Sequence, residues 1–115
     1  MPTPTGHTTA IRAKKVIGTS VKDTQGNKIG TVEDLVLDKQ SNTILFAVVG
    51  FGGVLKIGEK FHPLPWAVLN YDESEDAYVV PYTEAELKAA PADTISELTK
   101  NDGIAYRDQS FAFYK

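Results

Sequence analysis

The chain contains no cysteine. That absence excludes a disulfide framework, a thiol nucleophile and a zinc site of the thiolate kind, so the core must hold the fold together unaided. No apolar run approaches the roughly 18 to 20 residues that cross a bilayer. The N-terminal MPTPTGHTTAIRAKK lacks the apolar middle of a secretory signal, which predicts a cytoplasmic, unanchored protein. Histidine is scarce: His7 and His62 stand far apart, and neither has a carboxylate or second histidine at ligand spacing, so no metal site is expected. Ser20, Ser41, Ser74, Ser96 and Ser110 lack a neighbouring base motif, and there is no G-x-S-x-G elbow. No catalytic residue and no cofactor are assigned, and an enzyme is not expected. A net charge of −3 leaves little affinity for nucleic acid, even with the small basic cluster of Arg12, Lys14 and Lys15.

What is present is a chain of 115 residues with the apolar and charged fractions of one ordinary globular domain. Its most informative stretch is ILFAVVGFGG, from Ile44 to Gly53. As a strand it places Ile44, Phe46 and Val48 on one face and Leu45, Ala47, Val49 and Phe51 on the other. A half-buried strand alternates apolar with polar. A run that is apolar on both sides needs a core on one side and a separate cover on the other.

Around this run the pattern is of short strands and tight turns from Val16 to Tyr82. Gly18 to Asp23 reads as a first strand, and Gly26 can take the positive φ of the turn that follows. Lys28 to Asp38 is a long second strand in which Ile29, Leu35 and Leu37 share one parity and Val32 and Val36 the other. That conflict predicts a bulge near Glu33 and Asp34 and leaves the inward face open. After the apolar strand, Gly52 and Gly53 end or kink it, and Val54–Gly58 and Glu59–Leu64 supply more strand material, broken by Pro63 and Pro65. A last hairpin runs from Leu69 through the acidic turn Asp72–Asp76 to Val80. Many short strands without a long intervening helix favour a small antiparallel barrel or sandwich. Thr83 with Glu86, and Thr94 with Glu97, mark two short helices, the first stopped by Pro91 and the second ended by Gly103. The closing IAYRDQSFAFYK is too aromatic for a solvated tail and is expected to lie on the barrel or on a neighbour.

The order of GNKIGTVEDLVLD, the apolar strand, EKFHPLPWAVL, AYVV and a TEAELKAAP helix resembles the PRC-barrel domain, named for the cytoplasmic barrel of the photosynthetic reaction centre H subunit. The most specific pieces are Gly30-Thr31-Val32-Glu33-Asp34 and Pro65-Trp66. The resemblance implies a mainly β protein, a small six-stranded, partly open antiparallel β-barrel with short C-terminal helices and an aromatic tail. It further implies a docking or assembly module in a stand-alone bacterial protein, with peripheral association with a membrane complex left open. The expected organisation is an extended segment over 1–15, the barrel over 16–91, and a helix and tail over 92–115.

The leading expectation is a homodimer or a complex with another protein. Its surface is assigned to Leu45, Val49 and Phe51 on the apolar strand and Tyr106, Phe111 and Phe113 in the tail. The alternative is a small-molecule pocket around Phe61, Trp66 and Tyr78, against the simpler reading that Trp66 plugs the barrel end. Glu33 and Asp34 read as surface residues at a bulge, and the acidic run Asp72–Asp76 as a solvated turn without calcium-loop spacing. Gly50, Gly52 and Gly53 read as turn and close-packing glycines rather than a phosphate loop.

Overall fold

The computed structural model describes residues 11–51 and 60–114. Val54–Gly58, the glycines at 52 and 53, and His7 lie outside the described residues. Six strands make one sheet: β1 (Ser20–Lys22), β2 (Lys28–Asp38), β3 (Thr43–Phe51), β4 (His62–Leu64), β5 (Asn70–Asp72) and β6 (Ala77–Val79). Their order is β4-β3-β2-β1-β6-β5, so β4 and β5 are the edges of an unclosed sheet among the described residues. All pairings are antiparallel except β1 with β6, which run parallel with Ser20 opposite Ala77.

The turns form where the sequence places them. Asp23 Oδ1 accepts both the Gln25 and the Asn27 backbone N–H groups, each at 2.9 Å, and Gly26 adopts φ 86°. These bonds stabilise the ionised form, so the Asp23 pKa lies below the usual carboxylate value, the Asn27 backbone N–H being the largest cause. In the last hairpin the Asp72 carboxylate accepts from Ser74 N, Ser74 Oγ and Glu75 N, which ties the acidic turn together from within.

Bulges decide which side chains face the core. Val32 pairs with Val49 and Asp34 with Val48, so Glu33 is the extra residue on β2. The phase change brings Val32 and Leu35 to the same side and resolves the parity conflict in that strand. A second irregularity lies opposite: Val36 pairs with Phe46 and Leu37 with Ile44, which leaves Leu45 as the extra residue on β3. Ile44 and Leu45 therefore exchange the faces that simple alternation assigns them. Leu45, Phe46 and Val48 share the outer side, while Ala47 and Val49 enter the main core.

That main core joins Val21, Ile29, Val32, Leu64, Tyr78 and Val80 from the strands with residues from outside the sheet. Val16 enters it from α1 (Ala13–Val16), a helical turn within the segment expected to be extended. Leu87 enters from α2 (Glu84–Lys88), whose start carries a complete capping box: Thr83 N donates to Glu86 Oε1 at 2.9 Å, and Glu86 N donates to Thr83 Oγ1 at 3.2 Å. Thr94 Oγ1 likewise accepts Glu97 N at the start of α3 (Ile95–Leu98). Gly103 does not end that helix directly. It is the last of three left-handed residues, Asn101, Asp102 and Gly103, that turn the chain into α4 (Ile104–Phe113), so the aromatic tail is a helix. Tyr114, just past its end, reaches the main core and packs edge-on against Tyr82, with ring centroids 5.1 Å apart.

Candidate interaction surfaces

The outer side of β3 is covered by the chain itself. Leu45, Phe46 and Val48 form a second buried cluster with Leu98 of α3, and Val36, Phe61 and Tyr106 pack against it. A backbone clasp pins this cover to the sheet edge. Phe61 N donates to Asp93 O at 2.8 Å, and Asp93 N donates to Phe61 O at 3.0 Å. The Asp93 side chain continues the connection, because its Oδ2 accepts the Tyr106 hydroxyl from α4 at 2.5 Å and its Oδ1 accepts Thr94 N at 2.8 Å. The Tyr106 bond is the main reason that the Asp93 carboxyl titrates below its usual value, and the same bond raises the Tyr106 phenol.

Against this geometry the expected partner surface needs correction. Val49 is fully buried in the main core, and Leu45 is 6% exposed beneath the C-terminal cover. Phe51 lies on the core side, its ring 4.5 Å from that of His62. Tyr106 is half-buried in the clasp. Phe111 and Phe113 are 49% and 42% exposed on opposite flanks of α4, and Ile104, 46% exposed, shares the flank of Phe111. The structure thus gathers Leu45 and Tyr106 at an internal contact and separates them from the two exposed phenylalanines.

The expected ligand pocket is also divided. Trp66 and Tyr78 do meet, with ring centroids 5.7 Å apart, but both belong to the main core side. Phe61 packs in the outer cluster on the other side of the sheet. Tyr78 is 2% exposed, which leaves it inside the core rather than in a cavity wall.

Two clefts flank the far end of the β2–β3 hairpin, which extends beyond the short pairings of β1 and β4. One, of about 370 Å³, lies on the outer side between the hairpin and α4, and its lining mixes Leu37 and Ile104 with Asp38, Lys39, Asp102 and Arg107. The other, of about 290 Å³, lies on the core side and is lined only by apolar residue types. Ile11, Ala13 and Val16 form one wall; Leu35, Leu37, Ile44 and Trp66 form the rest. The apolar residues at 11, 13, 16 and 17 are the sequence signal of packing in this segment.

His62 sits at the β4 edge, 9% exposed, and its ring donates to the Pro91 carbonyl. Its Nδ1 is buried without a hydrogen-bond partner among the described residues. Burial holds its pKa below the usual histidine value, the Pro91 bond opposing the shift. This is the geometry of a neutral structural histidine at a strand edge.

A family model described as PRC-barrel domain matches residues 8–87. No curated protein matches the chain. Among the described residues, no helix is long and apolar enough to cross a membrane. The matched region stops at the end of α2, so the cover made by α3 and α4 lies beyond it.

Proposed function

This chain belongs to the PRC-barrel domain family, and from that premise we propose that it is a non-enzymatic, cytoplasmic interaction module that self-associates through the flank of α4 that carries Ile104 and Phe111. Family membership is consistent with a module of this kind. The observation that carries the reading is the exposure of Ile104 and Phe111 on one flank of a helix whose inward side is already packed; Phe113, nine residues from Ile104, lies on the opposite flank. Each such side chain gains roughly 1.5 to 3 kcal/mol on full burial, and about half of that is still available at these exposures. Ile104 and Phe111, seven residues apart, share one flank of the helix. Two copies related by a twofold axis would bury the same residues from both partners.

Sedimentation equilibrium of the full chain tests this reading, alongside an Ile104→Asp, Phe111→Asp variant. Both positions face solvent, so the variant retains the fold. A concentration-dependent dimer that the double substitution abolishes is the expected result. An ideal monomer at high concentration would overturn the self-association reading.

A further inference from the structure

Ile104 and Phe111 mark a line along the exposed flank of α4, and Arg107 and Asp108, midway between them in sequence, stand on either side of that line, each about 50° round the helix. The flank therefore carries a cation on one side and an anion on the other. Arg107 Nε donates to Asp108 Oδ1 at 3.1 Å, and Arg107 Nη2 stands 3.0 Å from the same oxygen. Both contacts use one oxygen. The Asp108 side chain is 65% exposed, so its Oδ2 is open to a donor from outside the chain.

The β2–β3 hairpin adds a second asymmetry, because Leu37, Asp38 and Lys39 line the outer cleft together with Ile104 and Arg107. It stands on the Arg107 side of the line. Leu37, 63% exposed, continues the wet apolar surface of Ile104 across the mouth of that cleft. On the other side of the line the chain presents the exposed residues Asp108 and Ala112.

A twofold axis can join two such flanks with the helices antiparallel or parallel, and the asymmetry separates the two arrangements. In the antiparallel one, each side of the line meets its own counterpart. Arg107 then faces the partner's Arg107, Asp108 faces the partner's Asp108, and the two hairpins converge on one side. In the parallel one the sides interchange. Arg107 faces the partner's Asp108 and Asp108 the partner's Arg107, the hairpins lie on opposite sides, and Ile104 and Phe111 meet the partner's Ile104 and the partner's Phe111. Charges that flank an apolar helix seam set its orientation in this way, since like charges placed together are costly.

Given self-association through this flank, we propose that two copies of the chain pack α4 against α4 in parallel, about a twofold axis that runs along the helices. Ile104 and Phe111 form the seam, and an Arg107–Asp108 pair between the chains closes it on each side. A second copy is the fitting occupant because the charge pattern of the flank is complementary to itself.

The chain has no cysteine, so introduced ones report the geometry without background. Ile104→Cys and Phe111→Cys are each expected to oxidise to a disulfide-linked homodimer, while the two variants mixed in the reduced state and then oxidised yield little of the mixed disulfide. In sedimentation equilibrium Asp108→Arg, at an exposed position, is expected to raise the dimer dissociation constant by at least about tenfold. Arg107→Asp, Asp108→Arg exchanges the signs and is expected to restore the dimer. A preferred mixed disulfide overturns the parallel geometry, as does a dimer that Asp108→Arg leaves unchanged. An ideal monomer of the unaltered chain overturns self-association itself. A dimer abolished by Ile104→Asp, Phe111→Asp but indifferent to the charge reversal leaves self-association standing and removes only the geometry proposed for it.

Discussion

Tyr106 and Asp93 join the C-terminal helix to the edge of the sheet: the phenol donates to Oδ2 at 2.5 Å, while the backbone of Asp93 pairs with Phe61. One residue therefore holds both the approach to the cover and its last helix. Tyr106→Phe keeps the ring in the outer cluster and removes only this bond. Amide hydrogen exchange is expected to quicken in α3 and α4 while β1 and β2 stay protected. Equal loss of protection across all elements would show that the clasp has no local role.

Leu98 is the deepest anchor of the cover, with no exposed surface against Leu45, Phe46 and Val48. Leu98→Ala is expected to cost about 2 to 5 kcal/mol in urea unfolding and to admit a dye that fluoresces on apolar surfaces. Ile95→Ala, at a position 38% exposed, should cost under about 1 kcal/mol. Matching losses at the two sites would contradict the assigned orientation of α3.

Titration of His62 links stability to pH. Its folded pKa lies below the reference value of 6.5, so the unfolded chain binds the proton more readily. Stability is then complete above pH 6.5 and falls as the pH drops through the interval between the two pKa values, with a slope of at most about 1.4 kcal/mol per pH unit from this residue. Urea unfolding over a pH series measures the slope, and His62→Gln is expected to flatten it. An unchanged slope in the variant would assign the dependence to other groups.

Gly30 lies where β2 crosses β3 closely: a Cβ there would stand 2.5 Å from the Gly50 carbonyl oxygen and 2.6 Å from the Phe51 ring. The first contact is with backbone, which cannot rotate aside. Gly30→Ala is expected to cost about 1 to 3 kcal/mol in thermal or urea unfolding. A neutral outcome would mean that the two strands separate more easily than the pairing of Gly30 with Phe51 suggests.

Features set by neighbours in the chain were legible before folding was considered. The Asp23–Asn27 turn, the Thr83 and Glu86 cap, the bulge at Glu33 and the two-sided apolarity of β3 all follow from local periodicity and turn chemistry. These signals also carried the family resemblance. Tertiary structure decided what local pattern leaves free. The irregularity at Leu45 reverses the faces of Ile44 and Leu45, because a single unpaired residue changes the phase of a period-two strand. The choice between tail and sister molecule as cover for β3 depended on whether the chain could return to it. The Phe61–Asp93 pairing brings Leu98 and Tyr106 there. Likewise, Phe61 and Trp66 are near in sequence but lie on opposite sides of the sheet, and Ile11 and Leu37 are distant in sequence but share a cleft. Separation along the chain specifies neither relationship, since strand pairing and the side of the sheet on which each segment packs determine which side chains meet.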